Sequence, residues 1–305
     1  MKNIIGHRKI FLTISGILFL ASFIMLAMWG LKLGIDFTGG SLLEVEFANS
    51  IPPQVEIQTT LQPLSLGNVL IQPTGEKGVM IRFQNVDENK HQQILAALSY
   101  LSHEGGYGQM TEKRFDAIGP TIGKELFNKS ILAIILTLSA IIIYITWAFR
   151  QVSKPVSSWK YGVAAVIALF HDVVLPMGVF SALGHYRGIE IDTLFITAIL
   201  TILGFSVHDT IVVFDRIREN LRKLKHSENF EETVNRSVNE TIARSINTSF
   251  TVLLVLLSVF LLGGETVKYF SLALILGVVF GTYSSIFIAS PILVIWNKMS
   301  AKRGN

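Results

Sequence analysis

The sequence predicts an α-helical polytopic membrane protein of six spans, with one small α+β domain inserted between the first two. Three observations predict it. Half of the 305 residues are hydrophobic and only 16% are charged, against about 25% charged in soluble domains. Six apolar runs are long enough to cross a bilayer, for which about 20 residues suffice. Between the first two runs, residues 41–118 switch between strand-like and helix-like hydrophobic spacing.

Composition also excludes. There is no cysteine, so neither a disulfide framework nor a Cys-based metal site can form. The net charge is +4, but the basic residues flank apolar runs rather than forming a stripe with aromatics, which argues against nucleic acid. No activated nucleophile and no metal-ligand spacing is present, so an enzyme, a cofactor and a metal are not expected.

The elements follow in order. Residues 1–31 hold a basic N-terminus and the run Ile10–Leu31, too long for a signal-peptide core and read as an uncleaved first span. Residues 32–125 form the α+β domain. It opens with Gly34-Ile-Asp-Phe-Thr-Gly-Gly40, where Gly34, Asp36, Gly39 and Gly40 stop the helix. Spacing alone leaves two readings: a flexible exit from the membrane or a tight, packed junction.

Leu42–Phe47 reads as a strand and Pro52–Leu64 as a helix. Asn68–Gln72 and Val79–Phe83 read as strands of a hairpin joined by Pro73–Gly78. Asp87–Ser102 is a helical face and Thr111–Ile118 a last strand. The order β-α-β-β-α-β is that of a ferredoxin-like unit. His91 and His103 are expected as surface residues.

Residues 126–297 carry five more spans: 130–149, 161–183 with a possible kink at Pro176, 193–214, 242–262 and 269–295. Residues 298–305 form a short tail. The last span has small residues every fourth position, Ala273, Gly277, Gly281, Ser285 and Ala289, a stripe that lets another helix approach closely.

Loop charges set the orientation. Lys2, Arg8 and Lys9, then Arg150, Lys154 and Lys160, then Arg216, Arg218, Arg222, Lys223 and Lys225, and finally Lys298, Lys302 and Arg303 alternate with poorly basic connections. Both termini are therefore expected in the cytoplasm. Between Lys32 and Glu125 seven Lys/Arg stand against eleven Asp/Glu, a net of −4, as suits a translocated domain.

The buried charges carry the function. Asp209 lies near the end of the fourth span, and an acid there costs roughly 2.5–3.5 kcal/mol on insertion scales, so it is read as part of an ion or proton path or, paired with Arg244, as a static buried ion pair that fixes helix packing. Thr197, Thr201 and Asp209 recur at multiples of four and are expected to share a face turned into the bundle. Arg244, at the start of the fifth span, is expected at similar depth and in position to pair with Asp209. His171 and Asp172 lie inside the third span, and either join helices by hydrogen bonds or assist the path. His208 adjoins Asp209 but points about 100° away around the helix.

These residues sit in motifs that resemble the SecF family. They are GIDFTGG, then GPTIGKEL before the second span, FHDV in the third, GFSVHDTIVVFDRIREN in the fourth, NETIARSINTSFT at the fifth, and LGGETVKYFSLALILGVVFGTYSSIFIASP in the sixth. The resemblance covers nearly the whole chain. It implies a six-helix half of the RND transporter type with a periplasmic domain. It implies Asp209 as the intramembrane proton-binding aspartate and Arg244 as its partner; Asp172, His171, Thr201 and His208 are auxiliaries read from their positions alone, His208 being read either as a neutral structural histidine or as a second titratable group. Where this chain has His208, relatives commonly have asparagine.

The implied function is a proton-motive-force-driven accessory subunit promoting late steps of preprotein export across the bacterial inner membrane. The implied partners are SecD, the SecYEG translocon with YajC-type accessory subunits, the emerging preprotein and the lipid bilayer. Two other classes fit the spans: a small-molecule or lipid efflux half-transporter, and a non-conducting translocon scaffold. The size of the α+β domain argues against the first.

Overall fold

Six long apolar helices, and a four-stranded sheet backed by two helices, make up the described residues. The computed structural model describes residues 2–149, 157–223 and 229–303. Arg150, Lys154 and Lys225, counted above toward orientation, lie outside the described residues. Two units result: Met1–Lys32 with Leu132–Asn305, and Leu33–Ile131.

In chain order, α1 (Arg8–Trp29) is followed by the single turn α2 (Ile35–Thr38), β1 (Gly40–Phe47), α3 (Gln54–Leu61), β2 (Leu70–Thr74), β3 (Gly78–Phe83), α4 (Glu88–Glu104) and β4 (Met110–Ile118). Then come α5 (Pro120–Ala148), α6 (Ser158–Arg187), α7 (Thr193–Arg222), α8 (Phe230–Leu262), α9 (Glu265–Ser284), a π-helical turn (Ser285–Ala289) and α10 (Ser290–Arg303). Six candidate spans begin at Arg8, Pro120, Trp159, Thr193, Phe230 and Thr266.

The sheet of the Leu33–Ile131 unit has the order β2-β3-β1-β4, antiparallel throughout. This is the ferredoxin-like arrangement that the element order predicts. Alternation along β1 and β3 sends Leu43, Val45, Phe47, Val79, Ile81 and Phe83 to the face covered by Ile57 and Leu61 of α3 and Ile94 and Leu98 of α4. Asp87 caps α4 by accepting the Lys90 N–H at 2.9 Å. Pro73 lies on the edge strand β2, where a missing N–H is tolerated. His91 departs from expectation. It is buried, stacks on Phe115 at 3.7 Å and lies 3.1 Å from Glu112. The α4 face that carries Ile94 and Leu98 takes it inward.

In the other unit, α6, α7 and the last span form the enclosed centre. Of their most apolar stretches 61%, 50% and 61% are buried, against 11% for α1 and α8. The polarity of α1 is inverted: its buried residues are Ser15 and Ser22, while Ile10, Ile17, Leu20 and Phe23 face outward. Lipid offers no reason to bury leucine, so small residues make the helix contacts. Ser22 accordingly packs on Gly178 of α6, and the Ser181 hydroxyl donates to the Met25 carbonyl at 2.9 Å. The small-residue stripe of the last span is buried; Gly277 lies under Ile202, and a Cβ on Gly281 would stand 3.1 Å from Ser206.

Two spans are longer than the apolar runs suggest. α7 continues to Arg222 and α8 starts at Phe230, twelve residues before the expected Ile242. Opposite charges one turn apart hold the extension, with Arg218 on Asp215 at 2.5 Å and Lys223 on Glu219 at 2.6 Å. Phe230, Val234, Val238 and Thr241 supply its buried stripe.

Candidate functional site: buried acids among the spans

Two carboxylates lie inside the bundle, on adjoining helices. Asp172 of α6 is completely buried. Its Oδ2 accepts from Ser206 of α7 at 2.5 Å and from Ser284 of α9 at 2.6 Å. Its Oδ1 lies 2.9 Å from Nδ1 of His171. The other ring nitrogen of His171 lies 2.7 Å from the Ser15 hydroxyl of α1. Four elements therefore meet on one acid.

Asp209 of α7 stands one turn beyond Ser206 and is 7% exposed. Its Oδ1 accepts from Ser245 of α8 at 2.6 Å. Its Oδ2 is buried with no hydrogen-bond partner among the described residues. Such an atom inside a bundle costs about 1–3 kcal/mol, so it calls for an explanation. Around the two acids Thr210 pairs with Ser285 at 2.9 Å and Ser249 with Thr282.

Backbone irregularity flanks the centre. Pro176 removes the N–H that would reach the Asp172 carbonyl four residues earlier. The π-helical turn at Ser285–Ala289 widens the last span beside Thr210. α6 nonetheless runs unbroken through Pro176.

The predicted residues do not all converge. Arg244 is exposed and forms no ion pair with Asp209 or another described residue. The expected pairing is corrected: the residue after it, Ser245, faces the acid. Helical spacing fixes depth, but a step of one residue turns a side chain by about 100°. Thr201 and Thr197 are exposed and donate back to Thr197 and Thr193 carbonyls at 2.8 and 3.0 Å. They do not share the buried face, because eight residues drift about 80° on a 3.6-residue turn. His208 is exposed, turned away from the acid as its position predicts. His171 and Asp172 are joined to each other and to the centre.

Sequence reasoning missed the serines Ser15, Ser206, Ser245 and Ser284, and read Ser285 only as a small residue of the packing stripe. The available signal was their recurrence within otherwise apolar spans, which membrane packing makes informative.

The glycine segment is the packed junction of its two readings. Gly34 caps α2, and Thr38 donates to the Gly34 carbonyl at 3.0 Å. Asp36 lies in the first turn of α2, and Gly40 opens β1 opposite Ile118. Gly39 has φ +74°, and a Cβ there would come within 2.7 Å of the Pro120 backbone. A Cβ on Gly123 would come within 2.8 Å of the Gly39 nitrogen. The start of α5 and the glycine turn thus touch backbone to backbone, closed by Phe37 edge-on to Phe127.

Comparison with known proteins agrees with this arrangement. The SecD/SecF GG motif matches residues 26–51, and the C-terminal family of the protein export membrane proteins SecD/SecF matches residues 100–299. The protein translocase subunit SecF of Thermobaculum terrenum is 41% identical, over 97% of this chain and 94% of its own. That of Anaerolinea thermophila is 42% identical over the same shares. The crystal structure of SecDF, a translocon-associated membrane protein from Thermus thermophilus, superposes with a TM-score of 0.80 at 31% identity. It covers 97% of this chain, which spans only 39% of that longer one.

Six spans, a ferredoxin-like insert and acids held at helix crossings define a multi-pass membrane subunit of the protein-export class. Within that class the two relatives above are both protein translocase subunits SecF. The chain belongs to the SecF family of protein translocase subunits.

Proposed function

We propose that this chain is a proton-driven accessory subunit of the Sec translocase, acting with SecD at late steps of preprotein translocation. It would lie in the bacterial inner membrane with both termini cytoplasmic and the α+β unit periplasmic. The SecYEG translocon, YajC-type subunits and the emerging preprotein would be its further partners. The observation that carries the reading is Asp209: a buried carboxyl with one oxygen held by Ser245 and the other without a direct hydrogen bond among the described residues.

A protonated Asp209 is content with a serine, whereas a charged one needs a cation or water. Arg244 is one residue from Ser245, on a helix of which only 11% of the apolar stretch is enclosed. A rotation of α8 by about 100° would exchange serine for arginine at the acid. Proton release would then favour the arginine-facing state, and proton uptake the serine-facing state. A proton crossing 100 mV supplies about 2.3 kcal/mol, enough to bias two packings more than tenfold. α1 and α5 run into the α+β unit through the glycine turn and Pro120–Gly123. Their motion would be felt by a domain able to hold an emerging chain.

The test is Asp209→Asn in the complex with SecD. Proton-dependent export should be lost with assembly intact, as read by translocation into vesicles under an imposed gradient. Full export by that variant refutes the assigned role.

A further inference from the structure

We infer that His171 and Asp172 form a second proton-holding centre, which shares one exchangeable proton with Asp209. This deepens the reading of Asp209 given above and rests on it.

The geometry separates the two oxygens of Asp172. Both serine hydroxyls, Ser206 and Ser284, donate to Oδ2, at 2.5 and 2.6 Å. Oδ1 is left to a single partner, His171 Nδ1, at 2.9 Å. A polar stitch between helices would need no titratable group here; this one pairs a carboxyl with an imidazole in a fully enclosed place. The outer nitrogen of the ring, Nε2, meets Ser15 at 2.7 Å. A hydroxyl can donate or accept, so Ser15 fits either protonation of that nitrogen without moving a heavy atom.

Two charge states follow. With the ring neutral, Nδ1–H donates to the Asp172 carboxylate, Nε2 accepts the Ser15 hydroxyl, and the pair carries −1. One proton added at Nε2 makes the ring cationic, turns the Ser15 bond around, and brings the pair to zero. No other bond forms or breaks.

The groups facing the pair are few. α1 presents no charged side chain beyond its first two residues, Arg8 and Lys9. α9 presents Tyr283, whose hydroxyl is engaged by the Phe11 carbonyl at 2.9 Å. The rings of Phe19 and Phe280 cover the imidazole at 6.3 and 6.5 Å. The π-helical turn brings no titratable group. On α7 the buried titratable group is Asp209, one turn or about 4.5 Å along the axis from Ser206. Two negative charges inside one bundle repel at low dielectric, so their titrations are coupled. The pair is therefore neutral while Asp209 is charged and charged while Asp209 is protonated, so that one proton at a time passes along the two centres.

The experiment uses the chain reconstituted with SecD in vesicles, with proton uptake followed by an internal pH dye across external pH. Asp172→Asn keeps an acceptor oxygen toward Ser206 and Ser284 but removes the negative charge that stabilises a proton on the His171 ring. It should lower uptake at least tenfold and move the midpoint of the pH profile, with complex assembly and melting temperature unchanged. Wild-type uptake and profile in that variant overturn the inference. Should Asp172→Asn fail to assemble, His171→Gln decides by the same two readouts: a wild-type profile overturns the inference and a displaced one supports it. Asp209→Asn is run in parallel. Uptake lost there but kept in Asp172→Asn overturns the second centre alone, whereas uptake kept in Asp209→Asn overturns the reading of Asp209 itself.

Discussion

Gly39 is held at φ +74° with the Pro120 backbone against it, so a methyl group meets both a strained dihedral and an immovable neighbour. Gly39→Ala is expected to cost about 1–3 kcal/mol, seen as a lowered melting temperature of the purified chain. At Glu88 the Gln92 amide, and then His91, hold the carboxyl below its ordinary range. A lowered carboxyl contributes stability above the unfolded value of about 4.3 and loses it as pH falls. Glu88→Gln should therefore melt slightly lower than the parent at pH 7, and the difference should vanish in acid. The gap stays small because the carboxyl is solvated. At this scale depth along the spans was legible and azimuth was not. Asp209 and Arg244 read as near the ends of their apolar runs, but the helices run on to Arg222 and from Phe230, so both residues lie mid-helix. Which of Arg244 and Ser245 turns inward depends on packing with α7 and α9 that a single sequence does not state.

At the level of elements, the charged continuation of α7 and the polar start of α8 form a helical hairpin. Asn220 donates to Ser237 at 2.9 Å and to Glu240 at 2.8 Å, and Arg216 reaches Glu240 at 2.6 Å. Glu240→Ala removes the acceptor shared by both. The loss of roughly 1 kcal/mol should raise hydrogen-exchange rates about fivefold in residues 230–241, with the central spans unaffected. The strands, the helices of the α+β unit and the spans announced themselves through period and run length. The hairpin did not, because a hydropathy criterion ends a span where charge begins, although Phe230, Val234 and Val238 already repeat at helical spacing. The packed glycine turn was undecidable for another reason: its partner, Pro120–Gly123, lies some 80 residues on in the sequence, a distance no local rule reads.

For the whole molecule, the polar residues left outside the bundle are as informative as those within. Thr197, Thr201 and His208 line one side of α7, and Arg244 and Thr248 project from α8. Such a surface suits a protein neighbour better than lipid, and the chain spans only 39% of the SecDF relative it resembles. Because the chain has no cysteine, Thr201→Cys gives a unique thiol. It should cross-link to a cysteine placed in the facing span of SecD. Cross-linking only between two copies of this chain would assign the surface to self-association instead.

The amino-terminal segment is fastened far from its neighbours in sequence. Asn239 accepts the Lys2 N–H and donates to its carbonyl, Asn235 accepts the Ile5 N–H, and Ile4 and Ile5 are buried in the core beside Val234 and Val238. The separation is 237 residues for the first of these bonds. During synthesis residues 2–5 thus have no berth until α8 has been made and inserted. Completion of the bundle is signalled by closure of that clasp, and a chain arrested before α8 would leave residues 2–5 open to proteases.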